Sequence, residues 1–150
     1  MNLLAPRLHG FSLAELATAL AVIALLAAVA LPAWHEHRVR AWRIAARAEL
    51  TAAMLALERH ALTHATYAST AGGHTPAGQW PRAVPRPPAA PRHWLTATSC
   101  GQVDLARCVE LRATPVSADA RCGALVLRSN GEWLAILPSA DITVRLPHGC

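Results

Sequence analysis

Glu15 is the first residue in this chain whose position needs a chemical reason. It lies inside Phe11–Leu31, a 21-residue run whose only other polar members are Ser12 and Thr18. About 20 apolar residues are enough to cross a bilayer as a helix. A carboxylate near the centre of such a helix costs roughly 2.5–3.5 kcal/mol. A residue that costly is usually buried against something, so Glu15 points to a partner. Four cysteines, Cys100, Cys108, Cys122 and Cys150, all follow the apolar run. Their spacings of 8, 14 and 28 match no zinc pattern. An even number beyond a membrane segment predicts two disulfides in an oxidising compartment, with three connectivities open.

A third group is basic and aromatic. No acid occurs between Glu58 and Asp104, an interval that holds Arg59, Arg82, Arg86 and Arg92, four histidines, Trp80 and Trp94. Arginine contacts phosphates and tryptophan stacks on bases, so Arg82, Arg86, Arg92, Trp80 and Trp94 are candidate DNA contacts. All 14 basic residues counted as Lys or Arg are arginines, and the net charge of +5 permits an anionic partner without requiring one. Eight histidines are present, yet none stands at a recognisable spacing from a nucleophile or an acid, so no catalytic constellation emerges and no cofactor is implied. His60 and His64 are four apart and His35 and His37 two apart. Exposed polar positions explain both pairs better than metal ligands do.

The elements that hold these groups follow from periodicity. Val39, Trp42, Ala46, Leu50, Ala53, Met54, Leu57 and Ala61 recur at spacings of three and four, with Arg40, Arg43, Arg47, Thr51 and Glu58 expected on the other side. One helix is therefore predicted from about Ser12 to His64, lipid-facing in its first half and amphipathic in its second. Pro32 should kink it or open it locally. From Tyr67 to Pro91 the chain carries Gly72-Gly73, Gly78 and six prolines from Pro76 on, which predicts a long loop. Strand candidates follow at Trp94–Ser99, Arg107–Thr114, Cys122–Arg128, Trp133–Leu137 and Ile142–Leu146. Asn130-Gly131 marks a hairpin between the third and fourth. The fold class is thus α+β, with three or four antiparallel strands laid on the helix. On that layout Cys100–Cys108 would close a hairpin loop and Cys122–Cys150 would tie down the tail. The organisation is 1–10 leader, 11–31 membrane and assembly helix, 32–66 amphipathic half, 67–92 loop and 93–150 sheet.

Arg7 and His9 on the short flank, with no acid, place that flank in the cytoplasm and the cysteine-bearing part outside. An ordinary signal peptide would be cut near Ala28-Val29-Ala30, leaving a secreted, disulfide-bonded binding protein. Glu15 argues against that, because a discarded segment gains nothing from an acid.

Gly10-Phe11-Ser12-Leu13-Ala14-Glu15-Leu16 before a long apolar helix resembles the signal of type IV prepilins. Gly10, Phe11 and Glu15 match in register, and Pro32 adds a fourth match. Ser12 and Ala14 depart from the Thr and Ile frequent there. The resemblance implies a type IV pilin fold. It implies that a separate prepilin peptidase cuts between Gly10 and Phe11 and methylates the new Phe11 amine. Glu15 would then pair with the Phe11 amine of a neighbouring pilin subunit during assembly on an inner-membrane platform. The precursor would sit in the inner membrane with its domain in the periplasm, and then join an extracellular filament. "ARAELTAAMLALERHALTHATYA" and "CVELRATPVSADARCGALVLRSNGEW" further resemble PilE-like minor pilins. The implied role is a structural, non-enzymatic subunit supporting adhesion, twitching or DNA uptake, certain minor pilins being DNA receptors in transformation. A pseudopilin of type II secretion is the near alternative.

Overall fold

The computed structural model describes residues 12–138 and 142–150. The chain divides into two compact units at Arg38–Val39. A single helix, α1 (Leu13–His64), contributes to both. Its start is sealed locally. Glu15 N–H donates to Ser12 Oγ at 3.2 Å, and Ser12 N–H donates to Glu15 Oε2 at 2.9 Å. This reciprocal capping box satisfies two of the amides that a helix start leaves open. α1 continues through Pro32 without interruption. In the first unit Leu13, Leu16, Leu20, Ile23, Leu25, Leu26 and Val29 are all exposed. The helix is long and apolar enough there to cross a membrane.

In the second unit the amphipathic half of α1 carries a six-stranded sheet, two strands more than the upper expectation. The strands are β1 (Arg82–Val84), β2 (His93–Ser99), β3 (Val109–Pro115), β4 (Ala124–Arg128), β5 (Trp133–Leu137) and β6 (Ile142–Arg145). They lie in sequence order, every pair antiparallel. The β4–β5 turn is the expected one: Gly131 has φ +82°, and Arg128 N–H donates to Glu132 O. Alternation sorts the faces. Leu95, Leu111 and Leu125 point at Leu50, Ala53, Met54 and Leu57 of α1, and Leu50, Leu95, Leu111 and Leu125 are each at most 1% exposed. Apolar burial drives this packing, at roughly 1.5–3 kcal/mol per large side chain.

The expected 67–92 loop is more structured than its composition suggested. β1 pairs with β2 inside it, and an isolated bridge joins Ala68 to Pro76. β1 is the outermost strand, three residues long, with Pro81 before it and Pro85 after it. Arg43 is a second correction. It was expected on the solvent side of α1, yet it is only 7% exposed. Its guanidinium forks onto Asp119, 2.7 Å from Nε and 2.8 Å from Nη2, in the loop between β3 and β4. The gain from a bidentate charged pair draws it in.

The cysteines pair as strand placement favoured. Cys100–Cys108 closes the β2–β3 connection, and Cys122–Cys150 fastens the tail to the start of β4. Gly123, beside that second bond, has φ +57°, and a Cβ there would collide with the carbonyl of Ile136.

A candidate nucleic-acid interface

Arg82 is the best-fixed of the candidate contact residues. Its guanidinium carbon lies 4.2 Å from the centre of the Trp80 ring. Its Nε–H donates to Gln79 O at 3.0 Å. Gly78, at φ +100°, leaves room for it, since a Cβ would come 2.9 Å from Arg82 Nη2. Trp80 is anchored in turn, its indole N–H donating to Ala77 O at 3.0 Å. With that N–H used and its ring against Arg82 and the core, Trp80 serves as a support. Gln79, Pro81, Arg82, Ala83, Arg86 and Pro87 line a groove of about 380 Å³.

Arg86 is the more exposed partner of this pair. Its side chain is 71% exposed and reaches Glu49 of α1 at 3.7 Å. A contact that long and that wet is worth little, and a phosphate can replace it. Arg92 stands at the entry to β2, its guanidinium 4.6 Å from the ring of Trp42 on α1. Trp94 is set apart. It pairs with Ala83 and Thr114, whereas Arg82 pairs with Leu95, so Trp94 and Arg82 occupy opposite faces of the sheet. Trp94 is 42% exposed, on the face that also carries Thr96 and Arg112. Arg82 and Arg86 thus line one groove with Trp80 supporting Arg82, Arg92 lies against the helix, and Trp94 faces away.

The outer face is close to charge-balanced. Glu110, 8% exposed, accepts from Arg128 Nε at 2.9 Å and from Arg112 Nη2 at 3.5 Å, and Glu132 accepts from Arg128 Nη1 at 3.0 Å. Glu110 is chiefly what holds the Arg128 guanidinium above its ordinary range. Net positive charge is therefore better available at the β1 edge than at the centre of the sheet.

The histidine pair on α1 has other work. His60 and His64 stack with centroids 4.1 Å apart. His60 Nε2 bonds Ala68 O at 2.9 Å, and His64 Nδ1 lies 3.1 Å from His60 O. Those nitrogens cap backbone. Among the described residues no group of three or more His, Cys, Asp or Glu is placed to hold a metal. Gly10 and Phe11, the expected cut and methylation site, lie outside the described residues.

A long helix, apolar in its first half and amphipathic in its second, with an antiparallel sheet on the second half and a disulfide-fastened tail, defines a type IV pilin. A family model matches residues 32–126, well over half of the chain. The chain therefore belongs to that family, described as type IV minor pilin ComP, DNA uptake sequence receptor. No curated protein and no solved structure matches it. Membership in a minor-pilin family favours a pilin over a pseudopilin and points to a structural subunit supporting DNA uptake.

Proposed function

We propose that this subunit captures DNA for import, using the groove between Arg82 and Arg86, with Arg92 adding charge beside it. The observation that carries the reading is Arg82, held on Trp80, lining a groove shared with Arg86 in an acid-free stretch of sequence. Arginines there position the phosphate backbone. Such contacts supply affinity without reading bases. Trp94 on the opposite face is free to stack on a base only if the strand crosses the β1 edge.

The test measures DNA retention by the purified chain as salt rises. Arg86→Ala should lower the log–log salt slope by about 1 while leaving the fold intact, and adding Arg92→Ala should lower it by about 1 more. Arg82→Ala should do the same and also loosen Trp80. Retention that is absent, or independent of salt, overturns the assignment. Scrambled and native uptake sequences compared at one salt concentration separate general binding from sequence reading.

For assembly, the proposal keeps the processing inferred from the N-terminal signal. A prepilin peptidase cuts after Gly10 and methylates Phe11, the precursor resides in the inner membrane, and Glu15 answers the Phe11 amine of the next subunit in the extracellular filament. In the isolated chain the Glu15 carboxylate engages Ser12 N–H, so pairing with a neighbour exchanges one donor for a cation. N-terminal sequencing decides the matter. A methylated Phe11 supports it, and a start near Leu31 or Trp34 removes it. No catalysis is assigned to the chain itself.

A further inference from the structure

Trp94 is the tryptophan without a partner. Of the five in the chain, Trp34 stacks on His37, and Trp42, Trp80 and Trp133 lie against Arg92, Arg82 and Arg47. Among the described residues no ring or cation covers Trp94, and its indole N–H donates to no group of the chain. It pairs with Ala83 of β1 and Thr114 of β3, both too short to lie over a ring. A single bare aromatic is ordinary surface. Its surroundings are not.

Alternation carries the same face along both strands. Thr96 and Thr98 of β2 and Arg112 of β3 stand on it beside Trp94 and Thr114. Among the described residues the hydroxyls of Thr96, Thr98 and Thr114 make no hydrogen bond within the chain. Arg112 makes one, at 3.5 Å to Glu110, whose other oxygen is held by Arg128 at 2.9 Å. A guanidinium has five N–H donors, so most of those on Arg112 are open. Arg112 and Thr114 also border a hollow of about 280 Å³, which Pro115, Ala118, Ala124 and Ile136 make largely apolar. Asp119 lines it too, but is engaged by Arg43. Drug-sized ligands take pockets of about 300–1,000 Å³, so this one suits a single small apolar group.

Charge selects the ligand. Arg112 and Arg128 are answered by Glu110 and Glu132, and Arg145 stands three strands from Arg112. A nucleic acid needs a positive track, which the β1 edge offers and this face does not. This face offers a flat ring, hydroxyls and planar donors. The face of an aromatic ring is negative and attracts the C–H bonds of a sugar ring.

We propose that the outer face of β2 and β3 binds an N-acetylated oligosaccharide. One sugar ring lies on Trp94, exchanges hydrogen bonds with Thr96 and Thr114, and accepts from Arg112. The acetamido group of the next ring seats its methyl in the hollow, against Ala124 and Ile136. Ala124 is two strands from Trp94, about 10 Å, a distance that two linked rings cover. The inference is separate from the DNA reading, which uses Arg82 on the opposite face.

The test uses the full chain in micelles of a detergent without a sugar headgroup. The probe is the linear tetramer of N-acetylglucosamine, with the glucose tetramer of the same linkage beside it. NMR of the wild-type chain should show the Trp94 indole N–H shifting saturably with the first. Removing the acetamido groups should weaken binding about fourfold, the worth of one buried methyl. Trp94→Ala should weaken it about tenfold or more, Arg112→Ala about threefold, and Arg82→Ala not at all. Affinity should hold from about 50 to about 200 mM salt, where a DNA complex weakens by orders of magnitude. No shift at about 10 mM tetramer overturns the proposal, as do equal affinities for the two tetramers or unchanged affinity in Trp94→Ala. So does a Trp94 signal that answers to DNA in a salt-dependent way and to neither saccharide, or one that shifts with protein concentration alone, which would put a second copy on this face.

Discussion

Breaking the Arg43–Asp119 fork should cost more than any exposed ion pair in this protein. Both side chains are under a tenth exposed, 9% and 8%, so solvent screens them little. Removing one partner of a buried pair typically costs about 3–5 kcal/mol, because the other charge stays buried alone. Asp119→Asn isolates that effect, since its amide oxygen can still accept from the N–H groups of Arg121 and Cys122. Asp119→Ala loses those bonds too and should cost about 1 kcal/mol more for the buried Cys122 amide. For the 39–150 unit a loss of this size lowers Tm by on the order of 10–20 °C. The assay is a thermal melt of that unit at pH 7 with its disulfides intact, followed by tryptophan fluorescence. Arg43→Met should be milder than Asp119→Asn, because the carboxylate keeps two amide donors. The double variant Arg43→Met/Asp119→Asn should recover about 2 kcal/mol relative to the sum of the singles. The reasoning fails if Asp119→Asn costs under about 1 kcal/mol, or if the two changes add within about 0.5 kcal/mol.

Further outcomes follow from other sites. Asp119 itself should give an acid limb: burial pushes its carboxyl up, but the Arg43 fork and the two backbone donors outweigh that and hold it below 3.8. Its share of stability is therefore present above about pH 3.8 and lost as pH falls through the folded value, so Asp119→Asn should flatten an acid unfolding curve there. Gly123→Ala should destabilise by more than about 2 kcal/mol, since it meets both the positive φ and the Ile136 carbonyl; a melt within 2 °C of wild type refutes this. Replacing Cys122 and Cys150 with serine should cost about 3.5 kcal/mol against about 2.5 for Cys100 and Cys108, because the first bond closes 28 residues and the second 8. Equal costs in denaturant melts would contradict that chain-entropy account. Glu15→Ala should cut the rate of filament entry strongly, measured by subunit content of sheared fibres against membranes, and normal entry would remove Glu15 from assembly.

The legible parts of this molecule were those governed by local pattern. The stripe from Val39 to Ala61 has one solution, a helix face against a core, and Ala46, Leu50, Ala53, Met54 and Leu57 are buried on it. All five strand candidates have their centres where alternation put them, with ends shifted by at most two residues. β1 was not legible, because three residues between prolines carry no period; its partner β2 creates it. Arg43 was misplaced for a related reason. Helical geometry puts it near the stripe's margin, and only Asp119, 76 residues away, decides which way it turns. The burial of His93 gave no signal, since a histidine at a strand start reads as polar surface until the sheet closes over it. For the interface, charge run and composition found Arg82 and Arg86 together, but strand parity alone could show that Trp94 faces away from them. Parity at that point requires β1.

The two prolines that bracket β1 bear on how such a subunit survives crowding. An open sheet margin under crowding invites strand-by-strand accretion into cross-β aggregates. At this margin three residues are all that an incoming strand could pair with, and Pro81 and Pro85 bring no amide hydrogen to extend the ladder in either direction. Strand addition is thereby discouraged at the β1 margin of the sheet.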